Sequence, residues 1–110
     1  MIAVIFEVVP KEGQASRYFD LAAALRPELE KIDGFISVER FQSLTTPGKY
    51  VSLSFWRDEQ AAAAWRAHLG HKAAQDLGKS EIFQDFRIRV ATVTRDYTLK
   101  DRVADASAAD

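Results

Sequence analysis

Residues 33–58 constrain the fold more than any other part of this 110-residue chain. Two runs rich in β-branched and aromatic residues, at 35–43 and 50–56, flank the sequence Thr46-Pro47-Gly48-Lys49. Proline at the second turn position and glycine at the third are typical of a type II turn. The segment therefore predicts an antiparallel hairpin, followed by a helix that Asp58 caps.

A strand and a helix are predicted ahead of this hairpin. The apolar run at 2–9 is rich in β-branched residues and stops at Pro10, which predicts a first strand. Apolar residues at helical spacing predict a first helix at 14–32, kinked by Pro27. Gly34 follows the helix and suits a left-handed C-terminal cap.

A helical region and a last strand are predicted after the hairpin. An alanine run and Trp65 predict a second helix at 59–67. Gly70 is expected to interrupt it, so a separate helical piece is predicted at 71–77. Apolar residues that alternate with arginines predict the last strand at 86–97.

The resulting order, β-α-β-β-α-β, predicts an α+β ferredoxin-like fold with a four-stranded antiparallel sheet. Residues 1–99 form the predicted domain, and residues 100–110, rich in Ala and Asp, form a predicted flexible tail. Helices cover one face of such a sheet. The other face is expected to carry the apolar side chains of Ile5, Val9, Ala91 and Val93, so a second identical chain is expected to cover it.

Composition excludes several classes of function. The net charge of −1 gives no reason to expect nucleic acid as a partner, and the absence of cysteine excludes disulfides and thiolate chemistry. No apolar run approaches the roughly 20 residues that span a membrane. The first residues read as a strand and not as a signal peptide, so the cytoplasm is the expected location.

Several segments together resemble the antibiotic biosynthesis monooxygenase domain family of the dimeric α/β barrel group. They are GFISVERFQS, PGKYVSLSFW, the Asp58-Glu59 helix start, Trp65-Arg66, His71, Ala74-Gln75 and IFQDFRIRV with Arg95-Asp96-Tyr97. The resemblance implies a homodimer whose two sheets close into a barrel, with a pocket between helices and sheet in each subunit. It also implies oxidation of a small aromatic or polycyclic phenol without a cofactor.

Three residues are predicted to carry the chemistry. His71 is a candidate base for a phenolic proton, because an imidazole with an ordinary pKa of ~6.5 suits proton transfer near neutral pH. Trp65 is expected chiefly to pack in the core, and it can at the same time offer a flat wall for an aromatic ligand. Arg40 and Glu39 point to opposite faces of their strand. If Arg40 points inward it stabilises a phenolate or enolate, and the alternative is a structural salt bridge.

Five further residues are predicted to line the substrate site: Phe6, Ser52, Ser54, Trp56 and His68. The two serines share one face of a strand that otherwise carries large residues, which leaves room for a ligand or for a partner's side chains. His68 and His71 have a spacing that metals sometimes use, but no carboxylate accompanies them, so no metal site is predicted.

Two alternatives to the oxygenase remain open. One is a protein that binds haem or another planar ligand without processing it, and the other is a dimeric structural or stress-associated protein. No cofactor is expected. The haem-degrading relatives pair a strand 1 Asn with an axial His, and this chain has Phe6 and Gln75 at the matching positions.

Overall fold

The computed structural model describes residues 1–76 and 82–104, with side chains described at 1–68 and 82–101. Four strands and three helices lie in this part of the chain. In chain order they are β1 (Ile2–Pro10), α1 (Ala15–Glu30), β2 (Phe35–Gln42), β3 (Tyr50–Trp56), α2 (Glu59–Asp76), β4 (Phe83–Thr92) and α3 (Leu99–Ala104). The strands form one antiparallel sheet in the order β2-β3-β1-β4. This is the predicted ferredoxin-like fold.

The register divides the sheet into a helix face and an open face. The helix face contains the even-numbered residues of β1, β3 and β4, together with Val38, Arg40 and Gln42 of β2. At one end of this face Ile2 and Trp56 pack against Leu29 of α1 and against two alanines of α2. At the other end Val8 packs with Tyr18 of α1 and with Ile82. The core therefore lies between the sheet and the two long helices.

The turn between β2 and β3 agrees with the predicted type. Gly48 has a φ of +78°, and the amide of Lys49 donates to the carbonyl of Thr46 over 3.2 Å. Only a residue without a Cβ adopts that φ without strain. The turn joins the strands that carry four of the predicted site residues.

A second group of contacts fixes the start of α2. The amide of Ala61 donates to the Asp58 carboxylate over 2.9 Å, which confirms Asp58 as the N-cap. The amide of Arg57 donates to the carbonyl of Gly34 over 2.7 Å, and its guanidinium contacts both carboxylate oxygens of Asp33. These bonds hold the beginning of α2 beside the beginning of β2.

Several predicted element boundaries were wrong. Helix α2 continues without interruption through Gly70, because an internal glycine costs only about 1 kcal/mol relative to alanine and a packed helix tolerates that cost. Strand β4 starts at Phe83 and ends at Thr92, earlier at both ends than predicted, because it follows the full length of β1. The short helix Leu99–Ala104 overlaps the beginning of the predicted tail. Residues 105–110 lie outside the described residues, so the tail's flexibility stays a prediction.

The open face combines apolar and charged side chains. As predicted, Ile5, Val9 and Ala91 lie on this face. Glu7 contacts Arg89 at 3.0 Å and Lys49 at 3.3 Å. The hydrogen bond from Lys49, with that from Arg89, keeps the pKa of the Glu7 carboxyl below its ordinary value. In the described part of the chain, no helix has the length and hydropathy needed to cross a bilayer.

Candidate active site between the sheet and the helices

The predicted site residues of the sheet lie together on the helix face. Arg40, Ser52, Phe6 and Ile88 are neighbours in the register across all four strands, and we call them the Arg40 row. Ser54 lies on the same face two residues further along β3. The two serines therefore place small side chains in the middle of a face otherwise lined by large ones, as the sequence indicated.

Three of the predicted residues form a continuous aromatic stack. Trp56 is fully buried, and its ring lies 6.4 Å from that of Trp65 with 26° between the planes. The ring of His68 in turn stacks on Trp65, with 5.4 Å between the ring centroids and 24° between the planes. Trp56 Nε1 donates to the Ser54 hydroxyl over 3.0 Å. The stack is thus tied to the sheet at one end and ends in an imidazole at the other.

His68 faces a carboxylate of the neighbouring helix. Its Nε2 lies 3.4 Å from Glu28 Oε1 of α1. The same Nε2 is buried and has no partner with hydrogen-bond geometry among the described residues. The imidazole and the carboxylate are therefore close to each other without a hydrogen bond between them. His68 therefore places an imidazole between the aromatic stack and a carboxylate of α1.

Arg40 points to the helix face, which answers the question that the sequence left open about Arg40 and Glu39. Glu39 pairs with Leu53 on the open face. The Arg40 guanidinium lies close to the hydroxyl of Tyr18. Burial raises the pKa of Tyr18, and the nearby guanidinium of Arg40 opposes that rise. Arg40 Nε is also buried, without a hydrogen-bond partner in the described part of the chain.

The two buried nitrogens that lack hydrogen-bond partners in the described residues, Arg40 Nε and His68 Nε2, both belong to predicted site residues. Proteins seldom bury a polar atom in this way, and such atoms mark places where a ligand or water completes the bonding. His71 lies one turn beyond His68 on α2, but its side chain is outside the described residues. Its predicted role therefore stays a prediction.

Sequence reasoning missed two residues of this layer. Tyr18 belonged to the apolar stripe of α1, and its hydroxyl was the signal that it reached a polar neighbour. Glu28 gave no signal, because a glutamate on an amphipathic helix normally faces solvent. Both come from α1, the helix to which no chemistry was assigned.

A separate cleft of about 360 Å³ lies away from this layer. It is lined by Met1, Ile36, Ser37, Phe55, Val93, Arg95 and Asp96. Phe55 and Ser37 pair with each other on the open face, so the cleft shares no residue with the predicted site. Among the described residues, no three His, Asp or Glu side chains lie close enough together to hold a metal ion.

The fold and this layer define a small α+β protein with a candidate site between its sheet and its helices. The sequence model of antibiotic biosynthesis monooxygenases matches residues 1–77, and the chain belongs to that family. Over 94 residues it is 47% identical to "Jasmonate monooxygenase ABM" of Pyricularia oryzae, which covers 86% of this chain and 44% of that protein. The chain therefore spans less than half the length of that relative.

Other proteins are similar to this chain in sequence or in fold. An uncharacterized protein of Bacillus subtilis, YqjZ, is 29% identical over 103 residues, covering 94% of this chain and 88% of its own length. A crystal structure described as an antibiotic biosynthesis monooxygenase from Deinococcus radiodurans superposes with a TM-score of 0.75 at 17% identity, covering 90% of this chain and 98% of that one. A Mycobacterium tuberculosis protein gives a TM-score of 0.73 at 20% identity, covering 88% and 98%.

Proposed function

We propose that this protein is a cofactor-independent monooxygenase that oxidises a small aromatic, phenolic molecule held between the sheet and α2. The observation that carries the proposal is the imidazole of His68, stacked on Trp65 and 3.4 Å from Glu28. A base fixed at the edge of a flat aromatic wall suits removal of a proton from a planar substrate. Membership of the monooxygenase family supports the same reaction class.

In the proposed reaction the substrate supplies the electrons for oxygen. His68 removes a proton from an activated CH₂ group of an anthrone-type phenol. The carbanion reduces O₂ and forms a C–O bond, and the imidazolium returns the proton to give a hydroperoxide. Loss of water leaves a carbonyl, so one oxygen atom enters the product and the other leaves as water.

Two features of the site assist this chemistry. The nearby negative charge of Glu28, 3.4 Å from His68 Nε2, stabilises the imidazolium that forms when the other ring nitrogen takes the proton. Packing of Trp56 and Trp65 over the sheet keeps the wall rigid, which preserves the alignment of base and substrate. Ser52 and Ser54 carry the smallest side chains of β3, on the face to which the proposal assigns the ring system.

Oxygen consumption tests the proposal. A panel of hydroxy-anthrones, quinols and jasmonate, the substrate named for the fungal relative, is supplied to wild type, His68→Ala and His71→Ala. We expect uptake with at least one compound and a loss of about 100-fold or more in His68→Ala, the range for a general base. Trp65→Phe, which keeps the aromatic wall, is expected to retain most of the rate.

The opposite outcomes are equally clear. No oxygen uptake across the panel contradicts the proposal, and quenching of tryptophan fluorescence without turnover favours a planar-ligand-binding protein instead. A large loss of oxygen-consumption rate in His71→Ala, with no loss in His68→Ala, contradicts the assignment of His68 and identifies His71 as the base.

The assembly that accompanies this function is a homodimer closed through the open face. Ile5 and Leu53 pair across β1 and β3 on this face, with Phe55 and Phe41 further out, so apolar side chains extend over three strands. A second copy that covers this surface buries it and leaves the helix face free for substrate. The Glu7 contacts lie within the covered area.

A further inference from the structure

Arg40 is a half-buried cation that pairs with no carboxylate of the described residues. Its Nε has no hydrogen-bond partner, and the guanidinium forms no ion pair with a carboxylate in the described residues. The adjacent carboxylate of Glu39 points to the open face. The part of a charged guanidinium that leaves water is unfavourable unless an anion or hydrogen bonds replace the lost hydration, and here that part is the Nε edge. The position therefore suits an anion from outside the chain.

Polar groups surround Arg40 on the helix face. Ser52 is its partner in the register of β2 and β3, and the hydroxyl of Tyr18 approaches the guanidinium from α1. Hydroxyl and guanidinium groups are both hydrogen-bond donors that a carboxylate accepts, and an arginine fork matches the two carboxylate oxygens. Three donor groups from three different elements thus converge at one end of the Arg40 row.

The other end of the same row is apolar and open. Phe6 follows Ser52 in the row, and Ile88 of β4 is 45% exposed although it lies on the helix face. Its neighbours on that strand, Phe86 and Val90, are 44% and 37% exposed. With strands spaced about 4.8 Å apart, the row extends over roughly 14 Å from Arg40 to Ile88. The Arg40 row is therefore cationic at one end and apolar at the other.

We propose that Arg40, Tyr18 and Ser52 form a carboxylate-binding subsite, and that the substrate is a small apolar monocarboxylic acid whose body lies over Phe6 and the exposed residues of β4. The inference rests on the proposed function, because it concerns the same helix-face site. The proposed subsite restricts the substrate class to molecules that carry a carboxylate. The fungal relative's named substrate, jasmonate, is the anion of such an acid.

The permanent charge of Arg40 distinguishes this role from stabilisation of a passing oxyanion. A guanidinium that waited for an enolate to form would keep its buried Nε without an anionic partner throughout the resting complex. A substrate carboxylate pairs with it on binding and stays paired through the reaction. Arg40 then governs substrate affinity more than the rate of the chemical step.

Binding measurements under nitrogen test the subsite without turnover. The probes are jasmonate with its methyl ester and an anthraquinone carboxylic acid with its methyl ester, followed by quenching of Trp56 and Trp65 fluorescence. We expect wild type to prefer each acid over its ester by about 10- to 100-fold, the range for a hydrogen-bonded charge. Arg40→Gln is expected to reduce that preference to near unity.

Matched variants complete the experiment. Glu39→Gln changes the adjacent charge on the opposite face and is expected to keep the acid preference. Arg40→Lys keeps the charge without the fork and is expected to keep part of it. Equal binding of acid and ester to wild type, an unchanged preference in a folded Arg40→Gln, or no binding of either acid at millimolar concentration overturns the inference. If wild type prefers the acids but consumes no oxygen, the carboxylate-binding subsite is supported and the proposed oxidation is contradicted.

Discussion

At the scale of single residues, the hydrogen bond from Trp56 to Ser54 ties the aromatic stack to β3. Both residues are buried, so removal of the hydroxyl leaves the indole N–H without a partner. We expect Ser54→Ala to lower the free energy of unfolding by about 1–3 kcal/mol, the cost of an unsatisfied buried donor. Urea denaturation measures the change.

A double-mutant cycle supplies the control for this prediction. In a Trp56→Phe background the donor is absent, so Ser54→Ala is expected to cost clearly less than it does in wild type. Equal costs in both backgrounds contradict the assigned bond and indicate that Ser54 matters only through its packing.

The face of Arg40 shows what one residue's sequence context leaves undetermined. Alternation along a strand predicts that Arg40 and Glu39 point in opposite directions, but it does not predict which of them faces the helices. The register of β2 shifts between Phe35 and Ser37, so counting from the start of the strand gives the wrong face. Only the pairing of Arg40 with Ser52 decides the matter. The contact between His68 and Glu28 was hidden for a similar reason, because it joins two helices whose packing the sequence does not fix.

At the scale of elements, Gly34 controls how closely the start of α2 approaches the start of β2. Its φ is +93°, and a Cβ built on it would lie 2.7 Å from the Cβ of Ala61. Gly34→Ala therefore combines backbone strain with a clash against a rigid neighbour. We expect it to lower the free energy of unfolding by about 3 kcal/mol, measured by urea denaturation.

Gly13→Ala is the matched control for that substitution. Gly13 also has a positive φ, +76°, but a Cβ there meets no atom within 4 Å. We expect a loss of about 1–2 kcal/mol from strain alone. If the two variants lose the same amount, the close approach of Gly34 to Ala61 contributes nothing.

The N-cap of α2 makes the stability of the domain depend on pH in the acid range. The hydrogen bond from the Ala61 amide, with that from Arg57, holds the pKa of the Asp58 carboxyl below its usual value of 3.8. Because the folded-state pKa is depressed, the stabilisation is complete well above the ordinary pKa of 3.8 and is lost as pH falls through the folded-state pKa. Urea midpoints measured from pH 6 to pH 2 should therefore fall.

Asp58→Asn isolates the contribution of this carboxylate. Asparagine caps a helix as well as aspartate does but does not titrate. The variant is expected to be similar to wild type near pH 3 and to lose less stability on acidification. Asp33, whose pKa is lowered chiefly by its hydrogen bond from Arg57, remains in the variant and keeps part of the dependence. Parallel profiles for the two proteins would show that Asp58 has no such role.

The order of elements was predictable from sequence, whereas some of their lengths were not. Alternation, the Pro-Gly turn and the Asp58 cap are local signals, and each predicted its element correctly. Gly70 is also a local signal, but the packing of α2 against the sheet overrode it. The start of β4 at Phe83 depends on pairing with Pro10, a contact over 73 positions that no local pattern contains.

At the scale of the whole molecule, the two faces of the sheet have different tasks. The layer between the helix face and the helices contains the aromatic stack and the two buried nitrogens that lack hydrogen-bond partners in the described residues. The open face carries apolar side chains with an ion pair at Glu7. A chain that used the open face for substrate would leave the candidate base on the wrong side of the sheet. The proposed division gives one face to chemistry and the other to assembly.

The proposed dimer predicts a specific effect of charge on the open face. Leu53 is partly buried at the centre of that face, opposite Ile5, and a lysine there would have to be desolvated against the second copy. We expect wild type to sediment as a dimer at micromolar concentration and Leu53→Lys to sediment as a monomer with unchanged far-ultraviolet circular dichroism. Leu44→Lys, at a position 99% exposed in the turn, should remain dimeric. A stable wild-type monomer, or a Leu53→Lys variant that still dimerises, would place the assembly elsewhere and return the apolar open face to solvent or to a different partner.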